Sequence, residues 1–356
     1  MMNKKKVLIL DLGREYGGAE KVIENLVVSL SEEVEIKLYV NKVTKDKFTN
    51  KGLPKYIQGK DISFRGYFKL IKDIFEDIKN SKIDILNTHG MSANLIGVIL
   101  RTITKVKFIV TIHSDLNYDF NGIKNRVYFW LEKVSVKLAD TVVTVSNNLN
   151  KKIYIRHNVK PITIYNGVSN YLYNNNVVKE EGFNILFVGR LTKVKNIELL
   201  LTGLKFLSEN NIQFKCNILG DGEEKEKLIK LAQEYGISNN VNFIGFINDV
   251  ESYMLKSDIL IMTSHMEGIP MVIIEAFKYK LPVIASDVGG ISEMIINEQT
   301  GILFNKDDEN EFKKCLLRVS KYSKEKLNIL ANNAYTIYEK KWNVEVMKNS
   351  YLKIFK

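Results

Sequence analysis

Short β-rich runs alternate with longer segments of helical periodicity along the whole chain, and this pattern constrains the fold more than any other feature. It is typical of βαβ units, in which helices cover the faces of a parallel sheet. The pattern predicts six strands in the first half, at residues 7–12, 35–40, 83–87, 107–112, 141–145 and 162–165. It predicts six more in the second half, at residues 184–188, 213–219, 242–244, 259–263, 282–285 and 301–304. The expected fold class is α/β, with two Rossmann-like, doubly wound parallel-sheet domains.

The chain has 356 residues, which is too long for one ordinary core, and it contains one candidate linker. Residues 165–182 are polar, rich in asparagine and without periodicity. We therefore predict one domain over residues 1–167 and another over residues 168–339. The last segment has helical spacing and a large apolar face. We expect a C-terminal helix at about 340–356 to pack back on the first domain across the domain junction, with Trp342 as an anchor.

The net charge of +11 lies entirely in the first half of the chain. Residues 1–170 hold 28 Lys and Arg against 17 Asp and Glu, whereas the remainder holds 24 of each. This asymmetry indicates that the first half faces something anionic, such as a phospholipid surface or a phosphorylated acceptor. Residues 64–79 and 124–139 combine aromatic and basic side chains, which suits a membrane surface as well as ordinary sheet-covering helices. No nucleic acid is expected as a partner, because no recognised binding module occurs.

Hydrophobic runs and cysteines limit the class of protein further. No apolar run approaches the roughly 18 residues that a membrane span needs, so we expect a cytoplasmic protein, peripheral at most at the inner face of the membrane. Cys216 and Cys315 lie in apolar patterns and indicate neither a disulfide framework nor a metal site. No acidic pair is placed as a divalent metal site would require, so no metal and no other cofactor is expected.

Two cations follow the first predicted strand of the second half. The stretch NILFVGRLTKVKN ends its strand at Val188 and places Arg190 and Lys195 five residues apart before a helix. In open parallel sheets, ligands gather at the carboxyl ends of the strands, and two cations on one loop can hold a phosphate or diphosphate. A basic surface loop without a ligand is the alternative.

Three further loops carry paired glycines after a predicted strand. Glycine lets a ligand approach the backbone, and the N-terminus of a following helix presents N–H groups to an anion. An ordinary tight turn is the alternative for each loop. The glycines are Gly17 and Gly18 in DLGREYGGAEKV, Gly220 and Gly222 in NILGDGEEKEKL, and Gly289 and Gly290 in VIASDVGGISEMI.

Glu275 is the only ionisable side chain between Met271 and Phe277, in the stretch MEGIPMVIIEAF. Burying an unpaired carboxylate is costly, so a partner must compensate it. That partner is either a pair of ligand hydroxyls, such as those of a ribose, or a structural lysine. Pro270 suits the first turn of a helix here, and Glu267 lies in the loop just before it.

Together these motifs resemble those of the retaining glycosyltransferases of family 4, which have the GT-B fold. Glu267 and Glu275 form an E-x7-E pattern, followed by PVIASDVGGISEMI and TGILF and preceded by FVGRLTKVKN, LGDGEE, NFIGF and SDILIMTS. The resemblance covers nearly all of the second half. In the first half it rests on GGAE, TIHSD and VVTVSN, with YNGV at the junction.

The resemblance implies a role for each matching residue. The second half would bind the nucleotide-sugar donor, with Arg190 and Lys195 on its diphosphate and Glu275 on the ribose. The first half would take the acceptor, and its His113 would contact the donor sugar from across the cleft. Catalytic roles would fall to Glu267, His113, Arg190 and Lys195. The other implied contacts are Gly17 and Gly18 near the diphosphate, and Glu267, Gly268, Ile269 and Gly220 around the sugar and nucleotide.

The implied activity is metal-independent transfer of a hexose-type sugar with retention of its anomeric configuration, by front-face attack on an oxocarbenium-like centre. A UDP-sugar is the favoured donor, and a glycan or lipid-linked acceptor of capsule or O-antigen synthesis is the favoured acceptor. Two alternatives stay open: a non-hydrolysing sugar-nucleotide epimerase, and a catalytically silent relative that only binds the nucleotide sugar. A nicotinamide dehydrogenase is not expected, because the G-x-G-x-x-G fingerprint is missing after the first strand.

Overall fold

A computed structural model describes residues 4–48, 57–60, 63–116, 123–170 and 181–356. The chain divides into two compact units. The first unit is Met1–Ser169 together with Asn343–Lys356, and the second unit is Asn170–Trp342. The chain thus changes unit two residues beyond the predicted first boundary and three residues beyond the predicted second one. Most of the predicted linker, residues 171–180, lies outside the described residues.

The first unit contains a seven-stranded parallel sheet with the order β3-β2-β1-β4-β5-β6-β7. Six of its strands match the predicted runs, and β3 was missed because its sequence, IQGK, has no apolar alternation. The strands are β1 (Lys6–Asp11), β2 (Glu35–Asn41), β3 (Ile57–Lys60), β4 (Ile85–His89), β5 (Lys107–Ile112), β6 (Thr141–Thr144) and β7 (Ile162–Thr163). The described helices are α1 (Gly18–Leu30), α2 (Phe64–Asn80), α3 (Met91–Thr104), α4 (Ile123–Leu138) and α5 (Asn147–His157).

The second unit contains a six-stranded parallel sheet with the order β10-β9-β8-β11-β12-β13. All six of its strands fall on the predicted runs, and no strand end differs from its predicted position by more than one residue. They are β8 (Phe183–Val188), β9 (Phe214–Leu219), β10 (Val241–Gly245), β11 (Ile259–Met262), β12 (Val283–Ser286) and β13 (Ile302–Phe304). The helices are α6 (Ile197–Glu209), α7 (Lys225–Glu234), α8 (Val250–Lys256), α9 (Met271–Lys278), α10 (Glu309–Val319) and α11 (Lys324–Ile337).

Continuous apolar runs make the central strands of both sheets fully buried, as expected where helices cover both faces. In the second unit, Ile185 and Phe187 of β8 and Leu200 and Leu204 of α6 belong to one buried cluster. Helix α6 lies so close to α10 that a Cβ added at Gly203 would lie 2.5 Å from a ring atom of Phe312. The glycine therefore sets how closely these two helices pack.

The C-terminal segment is divided between the two units. Helix α11 continues into a π-helical turn at Tyr338–Trp342, where the Trp342 side chain is fully buried. Helix α12 (Val344–Phe355) then joins the first unit, where the N–H of Val344 donates to the carbonyl of Val168 at 3.0 Å. It also packs on α1. Across the part of the chain that the structure describes, no helix combines the length and apolarity needed to cross a bilayer.

Candidate active site

The loop that carries Lys195 is fastened to the neighbouring strand. Lys195 ends a short 3-10 turn after β8, and Asn196 then adopts a left-handed conformation, with φ 48°, before α6 begins. The hydroxyl of Thr263, just after β11, donates to the carbonyls of Lys195 at 3.1 Å and of Asn196 at 2.8 Å. The backbone N–H of His265 donates to the carbonyl of Val194 at 2.8 Å. These bonds hold the cationic loop against the loop that leads to Glu267.

Lys195 and Glu267, predicted on separate motifs, are in direct contact. The ammonium of Lys195 lies 2.5 Å from Oε1 of Glu267, and the hydroxyl of Ser264 donates to the same oxygen at 2.6 Å. The side chains are 22% and 10% exposed, so solvent screens the ion pair only partly. Because both contacts use Oε1, Oε2 is the oxygen left to accept a hydrogen bond from a ligand hydroxyl.

Gly289 and Gly290 allow two backbone segments to touch. A Cβ on Gly289 would lie 1.9 Å from the carbonyl oxygen of Glu267, and one on Gly290 would lie 2.1 Å from that of Gly268. The N–H of Gly290 donates to the Glu267 carbonyl at 3.3 Å. The segment continues as a 3-10 turn, Ile291–Glu293, instead of the expected α-helix. Both glycines thus fix the backbone of the loop that presents Glu267.

Gly220 has the same kind of role beside Arg190. Its φ of +129° lies in the region that favours glycine, and an added Cβ would lie 2.0 Å from the carbonyl oxygen of Gly189. The N–H of Leu191 donates to the carbonyl of Asp221 at 2.9 Å, so the loops after β8 and β9 pack backbone against backbone. This packing positions Arg190, whose side chain is exposed at the carboxyl end of β8.

Glu275 lies in the second turn of α9, as the motif predicted. Pro270 precedes the first helical residue, Met271, and the side chains of Ile273, Ile274, Ala276 and Phe277 are buried. Glu275 itself is half-buried. In the loop before the helix, Ile269 is buried and Gly268 is exposed. The helix therefore buries its apolar stripe in the second unit and keeps the Glu275 carboxylate on its more accessible side.

The first unit contains a cavity of about 580 Å³ at the carboxyl ends of β1, β4 and β5. Several polar side chains line it, together with two tyrosines and residues 12–14. His113, which the sequence singled out, lies directly after β5 and faces this cavity. The lining includes Asp11, Glu20, His89, His113, Tyr128 and Glu132.

The N-terminus of α1 differs from the expected anion site. Gly17 precedes the first residue of the helix, Gly18, as the motif predicted. However, the N–H of Gly17 donates to the carboxylate of Glu20 at 2.8 Å. This contact is half of a capping box, in which a carboxylate of the helix's own first turn satisfies a free backbone donor. The Gly17 N–H is therefore already used by the protein.

Asp11 is a site residue that the sequence analysis missed. Its side chain is 4% exposed, and Oδ2 has no hydrogen-bond partner among the described residues, whereas Oδ1 accepts from the N–H of Gly13 at 3.2 Å. Burial, reinforced by the charge of Glu20, raises the pKa of Asp11 to about 7. Burial also raises the pKa of Glu20. The only sequence signal was an acidic residue at the end of the apolar run VLIL.

We expect Asp11→Asn to stabilise the protein at alkaline pH. The folded state holds the Asp11 proton more tightly than the unfolded chain, so this group's contribution is complete below about pH 4 and is lost as the pH rises through about 7. Between pH 4 and pH 8 the unfolding free energy of the variant should rise by on the order of 4 kcal/mol relative to that of the wild type, since one pKa unit corresponds to about 1.4 kcal/mol. Urea unfolding across this pH range measures it, with the exposed Glu32→Gln as the control. A difference that does not change with pH would contradict the assignment.

His89, a second missed residue, contacts His113. The two rings meet edge to edge, with centroids 5.1 Å apart and planes inclined by 30°, and Nδ1 of His89 lies 2.8 Å from Nε2 of His113. Burial lowers the pKa of His89 well below its usual value, helped by His113, and lowers the pKa of His113 to about 4. Both rings are therefore neutral at pH 7.

Comparisons with known protein families agree over both units. The profile described as "Glycosyltransferase Family 4" matches residues 16–170, and the one described as "Glycosyl transferases group 1" matches residues 173–337. An uncharacterised glycosyltransferase of Haemophilus influenzae is 30% identical over 257 residues, which is 71% of each chain.

Two further proteins are similar at lower identity. The Escherichia coli protein named UDP-Gal:alpha-D-GlcNAc-diphosphoundecaprenol alpha-1,3-galactosyltransferase is 28% identical over 296 residues, which is 77% of this chain and 75% of that protein. Among solved structures, Anabaena HepE in complex with UDP and glucose superimposes with a TM-score of 0.84 at 20% identity, covering 98% of this chain and 99% of that one. This structural likeness shows a shared fold.

Proposed function

Because the chain belongs to glycosyltransferase family 4 and has the GT-B fold, we propose that it transfers a hexose-type sugar from a UDP-sugar, with retention, to a glycan or lipid-linked acceptor of surface polysaccharide synthesis. The observation that carries this proposal is the contact between Lys195 and Glu267, held in place by Ser264 and by the backbone packing at Gly289. A cation and a carboxylate fixed side by side suit a ligand that joins an anionic diphosphate to a hydroxyl-bearing sugar.

The donor diphosphate is assigned to Arg190 and Lys195. Both lie on the loop after β8, and Lys195 is held by backbone contacts from the segment after β11. When the bond to the sugar breaks, negative charge grows on the departing phosphate oxygen, and fixed cations stabilise that charge. Glu267 is assigned to a sugar hydroxyl through Oε2, and Glu275 to the ribose. We further propose that these cations neutralise the leaving group without a metal ion.

Retention follows from the same assignment if the acceptor attacks from the face that the diphosphate leaves. Glu267 is engaged by Lys195 and Ser264 through Oε1, which supports a binding role for this carboxylate rather than a nucleophilic one. The departing phosphate oxygen then accepts the acceptor's proton. The protein contributes position and charge stabilisation, with His113 of the first unit as a further contact to the sugar.

The E. coli relative acts, by its name, from UDP-Gal on a sugar joined to diphosphoundecaprenol. Other relatives are named as O-antigen biosynthesis glycosyltransferases. These names support a UDP-sugar donor and a lipid-linked acceptor for this chain.

A donor panel tests the proposed function. The purified protein is incubated with UDP- and GDP-sugars, with and without EDTA, and released nucleoside diphosphate is measured together with the anomeric configuration of any product. We expect release from at least one UDP-sugar, unchanged by EDTA, and a product of retained configuration. An inverted product or loss of release in EDTA would overturn the corresponding part, and interconversion of the nucleotide sugar without release would indicate an epimerase.

Peripheral membrane association is proposed for the exposed faces of α2 and α4. Leu70 and Ile74 of α2 cover the sheet, whereas Phe68 of α2 is 65% exposed and Trp130 of α4 is 61% exposed. Exposed basic residues accompany these aromatic side chains: Lys69, Lys72, Arg126 and Lys133. Aromatic side chains flanked by basic ones suit an anionic lipid surface, where a lipid-linked acceptor would be found.

We expect the Phe68→Ser, Trp130→Ser double variant to lose about 10-fold in affinity for anionic phospholipid vesicles, because apolar burial in the lipid interface is removed. Flotation at low and high salt measures this binding. The control is Ile155→Ser, which changes an 81% exposed side chain on α5. Wild-type protein that fails to float at low salt would count against membrane association.

A further inference from the structure

Three titratable side chains stand in a row at the carboxyl edge of the first unit's sheet. Asp11 of β1 is the register partner of His89 of β4, and His89 is the register partner of Thr111 of β5. His113 lies two residues after Thr111, and residues two apart along an extended segment point to the same face of the sheet. All three side chains line the 580 Å³ cavity. The topology thus places His89 between a buried carboxyl group and the histidine that faces the cavity.

His89 is buried and has one hydrogen-bond partner in the described part of the chain. It is 1% exposed, and the contact of 2.8 Å joins its Nδ1 to Nε2 of His113. Only one proton can lie between two nitrogens in such a contact, so one ring donates and the other accepts. The rings are both neutral at pH 7, because burial lowers both pKa values. The position of this one proton therefore fixes the tautomer of both rings.

The surroundings of His89 select the direction of this hydrogen bond. If His113 donated, His89 would carry its proton on Nε2, and that nitrogen is buried without a partner among the described residues. A buried N–H without an acceptor is more costly than a buried lone pair without a donor. If His89 donates from Nδ1, its Nε2 carries only a lone pair. The second arrangement leaves no buried N–H of this pair unsatisfied.

We propose that His89 is a positioning residue for His113: by donating from Nδ1 to Nε2 of His113, it fixes His113 as the Nδ1–H tautomer, which presents a donor to a hydroxyl oxygen of a sugar in the cavity. The sugar contact rests on the proposed function, whereas the tautomer is a property of the protein alone. A neutral histidine in water carries its proton mainly on Nε2. The pair therefore imposes the less common form on His113, with the donor available before substrate binds.

The tautomer can be read from nitrogen chemical shifts. The full-length protein is labelled with ¹⁵N-histidine, and long-range ¹H–¹⁵N spectra are recorded at pH 7.5 without substrate. The chain has only four histidines, His89, His113, His157 and His265, so resonances are assigned by replacing them one at a time. We expect a protonated Nδ1 and an unprotonated Nε2 for both His89 and His113. A proton on Nε2 of His113 in the wild type would overturn the proposal.

An Asn/Leu pair at position 89 separates the effect of the donated hydrogen bond from the effect of packing. The amide of His89→Asn can donate to Nε2 of His113, whereas the side chain of His89→Leu, of nearly the same shape, can neither donate nor accept. We expect His89→Asn to keep the Nδ1–H form of His113 and sugar transfer within about 10-fold of the wild type. We expect His89→Leu to let His113 return to the Nε2–H form and to lose roughly 100-fold in kcat/KM, the usual effect of removing one oriented donor. Equal activity of the two variants would contradict a positioning role.

The proposed function and the positioning role of His89 can be disproved separately. If no donor is turned over by the wild type but His113 shows the Nδ1–H form, the proposed function fails and the hydrogen-bond direction stands. If sugar is transferred but His113 carries its proton on Nε2, the positioning role is overturned and the transferase assignment stands. The wild-type spectrum decides the tautomer even where a variant does not fold.

Discussion

Lys195→Met and Glu267→Gln are each expected to lower kcat/KM for sugar transfer by about 1,000-fold or more. In the proposed assignment Lys195 supplies charge where the leaving diphosphate develops it, and removal of one oriented electrostatic contact costs at least about 100-fold in comparable sites. Glu267 loses both its charge and its ion pair with Lys195. Steady-state kinetics with the donor identified by the panel measures both effects, and urea unfolding shows whether the fold is kept.

A matched control lies in the same 3-10 turn. Lys193 is exposed, and Lys193→Met removes one positive charge two residues from Lys195 without breaking an ion pair in the described structure. We expect this variant to stay within about threefold of the wild type, since an exposed charge is screened by solvent. Equal losses of kcat/KM in Lys193→Met and Lys195→Met would show that Lys195 contributes only positive charge to the region and makes no specific contact with the donor. Wild-type kinetics in Lys195→Met would remove it from the site.

Gly289→Ala is expected to destabilise the second unit by more than about 3 kcal/mol and to abolish transfer with it. The added Cβ would lie 1.9 Å from the backbone carbonyl of Glu267, at a φ of +55°, so the loop that presents Glu267 must move. The matched control is Gly236→Ala, where φ is +69° but no atom lies within 4 Å of the added Cβ. Gly236→Ala should lower the unfolding free energy by only about 1 kcal/mol, which is the cost of placing alanine in a left-handed conformation.

Urea unfolding of the two glycine variants measures this difference, with each unfolding transition followed separately because the chain has two units. Activity is measured at a temperature where both variants are folded. Similar unfolding free energies for Gly289→Ala and Gly236→Ala would mean that the loop presenting Glu267 moves to accommodate the added Cβ at little energetic cost. The backbone contact between Gly289 and Glu267 would then not determine the geometry of the site.

Much of the fold was predictable because strand periodicity is a local property. The apolar run at residues 184–188 identifies β8 without any knowledge of its neighbours. Similar runs identify most of the other strands, and their alternation with helices predicts the two sheets. Strand β3 was missed because IQGK carries no apolar alternation. The π-helical turn at Tyr338–Trp342 was also missed, since its residues share the helical spacing of the segments on either side.

Candidate site residues that lie in sequence motifs were predicted, whereas those that become neighbours only through strand pairing were not. Lys195 and Glu267 were identified from their own loops, although their direct contact was not. Asp11 and His89 were missed because they become neighbours only when β1 and β4 pair in one particular register. The glycine loops were recognised, but not the close backbone contacts that they allow: at Gly289 and Gly220 the space that a Cβ would need is occupied by another backbone segment of the second unit.

The most direct test of the site is a crystal structure of the protein with its nucleoside diphosphate bound. We predict that the diphosphate contacts the side chains of Arg190 and Lys195, with the ribose hydroxyls on Glu275. Lys195 should then be shared between Glu267 and a phosphate oxygen. A diphosphate bound elsewhere in the second unit, with the Lys195–Glu267 pair undisturbed, would contradict the account.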